Sequence, residues 1–436
     1  MKIAVIGAGI AGLGCAYALQ RTLRERGRIT LYEASARLGG HANTVDITLD
    51  GTSYPVDTGF LVFNARTYPN LVRLFRDLGV PTAPSDMSFA VSVPRTGGRR
   101  LEWGGSNLDT VFAQRRNLLS PMFVRMLRDI LRFNRQGTRV AEGREDASGL
   151  ALGEFLDRHR YGEAFRRWYL LPMAAAIWSC PTATMLAYPF TTFVRFCHNH
   201  GLLQIENRPQ WLTVAGGARE YVRRIAATLQ DVRLDEPVHA VARDAAAGCV
   251  IVDSRAGRER FDHVVLACHS EQSLRLLVDA DPAEREVLAD VRYQPNRAVL
   301  HTDARLMPVS RKVWSAWNYL SDGSNAPAVS VTYLLNRLQP LPFRTPVFVS
   351  LNPVVEPVRE RVLAEFDYAH PIFDDRAIAA QRRLDAVQGR RRVWFAGAWT
   401  GYGFHEDGLN SGLAAAAALA AIAEGRRHAG AERHAA

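Results

Sequence analysis

A mixed α/β protein of two interleaved domains is predicted by three features of this 436-residue sequence. An apolar strand runs at once into a glycine-rich turn and a helix at the start. Residues 108–200 carry mostly helical patterns. A buried strand, a glycine-rich loop and an Ala-rich helix close the chain. This length exceeds what one core usually serves, so two domains are expected. Hydrophobic residues at 47% and charged residues at 22% fit a folded globular chain and exclude wholesale disorder or a fibrous repeat.

The elements follow in order. Lys2 to Ile6 reads as a strand, Gly7 to Gly12 as a tight turn, the stretch to about Arg26 as a helix, and Ile29 to Glu33 as a second strand, which together make a βαβ unit. Residues 43–56 alternate around Asp50-Gly51 in the manner of a hairpin. The helical middle is punctuated by Pro121, Pro172, Pro181 and Pro189. Three strand-like runs lie between Pro237 and Ala267, and more are expected at 296–302, 313–319, 328–334 and 347–351. Val393 to Ala396 forms the last strand, a helix follows from about Asn410 to Ala423, and the tail after Glu424 is expected to fray. With no internal repeat or long linker, the domains interleave: 1–80, 205–270 and 388–436 in one, 81–204 and 271–387 in the other.

Gly7-Ala8-Gly9-Ile10-Ala11-Gly12 has the GxGxxG spacing of a dinucleotide site. The first glycine makes the turn, the second lets the backbone approach a pyrophosphate, and the third, Gly12, packs helix on strand. Glu33 ends the second strand where a ribose hydroxyl would lie. Phosphate belongs at the helix N-terminus.

Arg37-Leu38-Gly39-Gly40 and Val56-Asp57-Thr58-Gly59 come next, and Phe395 to Trp399 with Gly403 to Gly412 stand near the end. In these segments the sequence resembles the flavin-containing amine oxidase and phytoene desaturase superfamily. The resemblance implies a Rossmann-type FAD-binding domain and a substrate domain of helices and a mixed β-sheet. It implies FAD, held without a covalent bond because Trp399 to Tyr402 offers no Cys. The implied contacts are Gly7, Gly9, Ile10, Ala11, Gly12, Glu33, Ala34, Arg37, Gly39, Gly40, His41, Thr58, Gly59, Val238, Gly397, Ala398, Gly408 and Leu409, with Trp211 and Gly216-Gly217 in the family's pre-helix glycine motif. Trp314 to Tyr319, Thr332-Tyr333, Asn336 to Gln339, Leu351-Asn352-Pro353 and His370-Pro371 bring the chain closest to bacterial FAD-binding proteins that accompany cyclopropane-fatty-acid-synthase-like methyltransferases. That implies a modified fatty acid substrate and a methyltransferase partner.

Flavin chemistry asks the protein mainly to orient a C–H bond and exclude water. With the substrate class that the resemblance implies, desaturation of an apolar acyl chain is expected, against an amine oxidase, a flavin-dependent isomerase, or an FAD-bearing scaffold. His405 is the candidate proton donor or acceptor, with Glu406 and Asp407 read as backbone partner and helix cap. Lys312 is the one lysine free to serve as an amine oxidase lysine, since Lys2 opens the first strand. His301 and His370 rank behind them. Trp399, Tyr402 and Phe404 are the aromatics that could cage an amine, and packing is their commoner use.

A net charge of +10 favours anionic partners. Met122 to Phe133 sets apolar residues at helical spacing against Arg125, Arg128, Arg132 and Arg135, which suits either an anionic membrane surface or an ordinary surface helix. Nucleic acid is set aside, because no zinc spacing, RNP motif or basic tail occurs. Five scattered cysteines show neither metal spacing nor a disulfide framework. A cytoplasmic protein, peripheral at most to the inner membrane, is expected.

Overall fold

The computed structural model describes residues 1–425 apart from 96, 179–181, 207 and 324–329. Cys180, Pro181, the first two residues of the strand expected at 328 and most of the tail expected to fray lie outside the described residues. A five-stranded, all-parallel sheet has the order Asp231–Arg233, Arg28–Tyr32, Lys2–Ile6, His263–Leu266, Val393–Phe395. Its inner strands are apolar on both faces because one face packs on helices such as Ile10–Leu23 and the other on the meander residues Val241, Val250, Val252 and Phe261 with the helices beside them. The strand order reverses at Lys2–Ile6, and the C-terminal edge beside such a switch is where open α/β sheets hold ligands. Helix Ile10–Leu23 leaves that edge and packs against helix His405–Ala423, so closely that a Cβ on Gly412 would stand 2.1 Å from the Ala11 carbonyl oxygen.

The second large sheet has seven strands in the order Val362–Ile372, Arg292–His301, Phe348–Leu351, Ser330–Leu334, Trp317–Leu320, Phe89–Pro94, Arg100–Gly104. Only Trp317–Leu320 and Phe89–Pro94 pair in parallel. Between Pro237 and Ala267 there are four strands, a meander of three and then His263–Leu266 of the parallel sheet, one more than the alternation suggests. The hairpin around Asp50-Gly51 is formed by Thr44–Leu49 and Thr52–Asp57. The first helix stops at Leu23 with a 3₁₀ turn to Arg26. The last begins at His405, five residues before the sequence suggests. Residues 311–313 are a 3₁₀ turn, so the strand expected from 313 starts at Trp317.

The helical insertion packs around Phe133, Phe155, Phe165, Phe190 and Phe193. Pro172 does not end a helix there. It follows a π turn over Arg166–Leu170, and the Trp168 carbonyl, whose usual donor would be the missing N–H of Pro172, accepts from Trp103 Nε1 at 3.1 Å. Helix Pro121–Ala141 buries Phe123, Met126, Phe133 and Val140 and leaves Arg125, Arg128 and Arg135 exposed. Its apolar stripe is largely core, the packing of an ordinary surface helix, one of the two uses its pattern suits. Among the described residues no helix is long and apolar enough to cross a membrane.

Candidate active site

The glycine turn is built by local sterics. Gly7 has φ +102°, and a Cβ there would meet the Ala267 carbonyl at 2.7 Å. A Cβ on Gly12 would lie 1.9 Å from the Gly7 carbonyl oxygen, so only glycine lets the helix leave the strand this tightly. Gly9 is different: a Cβ there would meet nothing within 4 Å. It is the N-cap of helix Ile10–Leu23, with no side-chain cap on the first N–H groups. Open space in front of uncapped helical N–H groups is a cradle for an anion, and it fits the pyrophosphate of FAD. Glu33 is fixed by the Ala8 N–H at 2.9 Å and by Ser35.

From this turn a cavity of about 640 Å³ runs to the seven-stranded sheet and the helical insertion. Gly7, Gly9, Ile10, Ala11, Glu33, Ala34, Gly40, His41, Thr58, Gly59, Val238, Gly397, Ala398 and His405 all line it. Gly12, Arg37, Gly39, Gly408 and Leu409 do not, and each supports it from behind. Arg37 donates to the Gly40 carbonyl at 3.0 Å, and Gly39 N–H to the Ala8 carbonyl at 2.8 Å. A Cβ on Gly408 would press on Ile10 at 2.9 Å, and Leu409 packs against Gly14.

Lys312 stands apart and corrects the expectation of a catalytic lysine. It does not line the cavity, and its ammonium is ion-paired at the surface with Asp109 at 2.6 Å. His301 is likewise structural: it is buried, bonded to Ser350 Oγ, and absent from the lining. Tyr402 also lies off this cavity, whereas Trp399 and Phe404 line it.

His405 Nε2 meets the Tyr221 hydroxyl at 2.8 Å, and the ring stacks on Phe60 at 3.8 Å. Burial, with His41 nearby, pushes its pKa down to about 3. Glu406 accepts from the backbone N–H groups of Asn70 and Leu71, and Asp407 from that of Phe404, so both acids are spent on helix ends. Burial raises Asp407 to about 6.

The sequence pointed to His41 and His370 but missed His269 and Tyr368, with which they form a ring of polar aromatics. His41 stacks on Tyr368 at 5.1 Å and faces His370 at 5.4 Å and His269 at 6.3 Å. Tyr368 is held by Thr58 and Asn43, and His370 by Asn296. Burial lowers His41 and His269 to about 4 and His370 to about 3, so all are neutral at pH 7. His41 Nε2 is buried without a partner, an orphan polar atom beside the cavity that a polar ligand would satisfy. Gln272, Arg275 and Tyr293 also line the cavity, and no motif announces them.

Residues 10–316 match the family model of flavin containing amine oxidoreductases. The lysine-specific histone demethylase 1 of Schizosaccharomyces pombe is 34% identical over 103 residues, 21% of this chain and 10% of that protein. Cyclohexylamine oxidase from Brevibacterium oxydans shares the fold with a TM-score of 0.68, covering 97% of this chain and 99% of its own at 17% identity. A CLA-producing fatty acid isomerase from P. acnes does so at 0.65, covering 94% and 97% at 16% identity. With a glycine cradle that fits FAD and a family match across most of its length, the chain belongs to the flavin containing amine oxidoreductase family and is an FAD-dependent oxidoreductase.

Proposed function

We propose that this chain moves hydride between an apolar, acyl-type substrate and non-covalently held FAD, as in a desaturation. The observation that carries the reading is the chemistry of the cavity wall. Its far end is formed by Met87, Ile177, Leu202, Trp317, Tyr333 and Leu351, and the carboxylates that line the cavity are Glu33 and Glu236, both beside the glycine turn. An ammonium substrate entering that chamber would meet no compensating charge, whereas an acyl chain would be desolvated at little cost. The fold relative named a fatty acid isomerase supports the same substrate class.

In this reading the turn from Gly7 to Gly12 holds the pyrophosphate, Glu33 the ribose and Val238 the adenine end. Gly40, His41, Thr58, Gly59, Gly397 and Ala398 face the flavin half. The FAD domain comprises 1–80, 205–270 and 388–436. Bound FAD supplies the two-electron hydride acceptor. As one substrate C–H bond gives up hydride, the neighbouring carbon gives up a proton, which is assigned to the neutral His405 imidazole. Tyr221 and Phe60 orient that ring. The apolar wall excludes water and aligns the chain. A methyltransferase acting on the same acyl class is the proposed partner.

An anaerobic absorbance titration of the FAD-loaded protein tests the proposal. Bleaching of the flavin band by unsaturated or methylated phospholipids, with none by primary amines or polyamines, is the expected result. Bleaching by amines alone would overturn it. Conversion of a lipid without net bleaching would replace desaturation by isomerisation.

A further inference from the structure

The most exposed large hydrophobic side chains among the described residues are Leu119 at 89%, Val309 at 83% and Leu108 at 76%. They are far apart in sequence, yet one carboxylate ties their segments together. Asp109, next to Leu108, binds Arg115 at 2.6 Å and Lys312 at 2.6 Å. Arg115 opens the 3₁₀ turn that ends at Leu119, and Lys312 closes the short segment that begins at Val309. Both segments are anchored to one edge strand, Arg100–Gly104. Buried Glu102 accepts from the N–H groups of Val309 at 2.8 Å and Ser310 at 2.9 Å, while Arg116 donates to the Arg100 carbonyl. Leu118 and Met122, flanking Leu119, are exposed as well. The outer edge of the seven-stranded sheet thus carries a fixed rim of five bare aliphatic tips.

The charges around these tips are of one sign. Arg115, Arg116, Arg311 and Lys312 are exposed on the same segments, and Arg125 and Arg128 continue the series on the following helix. The one exposed carboxylate on these segments, Asp109, is already paired with two of the cations. Bare aliphatic side chains seldom persist on a solvent-facing surface in such a cluster. Protein interfaces concentrate aromatics and deplete charge at their centre, and this rim does neither. Aliphatic tips among arginines match the acyl boundary and anionic headgroups of a bilayer leaflet.

We propose that the rim formed by Leu108, Leu118, Leu119, Met122 and Val309 docks the protein on an anionic lipid bilayer, the aliphatic tips entering the leaflet and the surrounding Arg and Lys meeting phosphate. The surface is separate from the helix stripe Phe123, Met126 and Phe133, which the core occupies. It stands whether or not the substrate is a lipid.

Flotation of the FAD-loaded protein with vesicles of phosphatidylcholine, alone or mixed with phosphatidylglycerol, is the test. The mixed vesicles are expected to carry the protein up the gradient, the neutral ones to leave it behind, and added salt to weaken the binding. Arg116→Gln and Arg311→Gln should each lower the bound-to-free ratio about fivefold. The double variant Leu108→Ser/Leu119→Ser should lower it at least ~tenfold, with melting temperature and flavin content unchanged because both side chains lie outside the core. Leu234→Ser, an exposed leucine elsewhere, should bind as the parent does. The proposal is overturned by any of these: no flotation with the mixed vesicles, equal flotation with neutral ones, parental binding by the rim variants, or self-association without lipid that Leu119→Ser abolishes.

Discussion

Gly9 and Gly12 sit in one turn and answer to different constraints. Gly12 is required by the protein itself, because a Cβ would lie 1.9 Å from a backbone oxygen that cannot yield. Gly9 faces open space, so its demand for a small residue comes from the ligand. Gly12→Ala should lower unfolding stability by about 1–3 kcal/mol with or without cofactor. Gly9→Ala should leave the apoprotein's melting temperature unchanged and weaken FAD retention at least ~tenfold. Melting curves of apo and loaded protein, read with the flavin absorbance ratio, separate the two; equal losses in the apoprotein would refute the distinction. The site histidines add a pH signature. Burial lowers His41 and His269 to about 4 and His370 and His405 to about 3, so the folded chain binds fewer protons than the unfolded one in acid. Their contribution is complete above the ordinary histidine value of 6.5 and is lost as pH falls from there toward the folded values. The apoprotein's melting temperature should therefore decline between pH 6.5 and about 4, and His370→Gln should flatten the decline. A slope identical in parent and variant would count against this origin.

Among the elements, the contact of two helix ends organises the flavin side. Glu406 in the first turn of helix His405–Ala423 accepts from Asn70 and Leu71 at the start of helix Pro69–Leu78, which has no side-chain cap of its own. One carboxylate therefore satisfies two orphan donors and fixes where His405 points. Glu406→Ala should cost about 1–3 kcal/mol in urea unfolding and slow turnover through the displaced imidazole. An unchanged midpoint would mean that water replaces the carboxylate. Tyr221, on the buried face of helix Arg219–Ala226, supplies the hydroxyl that meets His405 from the other side. The acidic pair Glu406-Asp407 was readable as helix-end chemistry, because short-range capping depends on spacing alone. Its partner helix was not, since Asn70 lies 336 residues away.

For the whole molecule, the cavity joins two sheets that the chain builds from non-contiguous segments. If its apolar end houses an acyl chain, Ile177→Trp or Leu351→Trp should raise KM for long-chain substrates at least ~tenfold and leave the flavin content intact, since neither residue lies at the glycine turn. Steady-state assays across chain lengths check this, and parental KM values in both variants would move the substrate elsewhere. The α/β class, the βαβ start and the glycine turn were all determined by the sequence alone, with FAD implied by the family resemblance. Their physical content is local: a positive φ at Gly7, a steric limit at Gly12 and an uncapped helix end at Gly9 are properties of adjacent residues. Only the tertiary structure decided which polar groups meet. His41, His269, Tyr368 and His370 converge from three separate segments, and Lys312 is drawn to Asp109, 203 residues away, instead of the flavin side. Neither spacing nor periodicity encodes such a meeting. It is set by how two sheets and a helical insertion pack, and by which polar group finds a partner when they do.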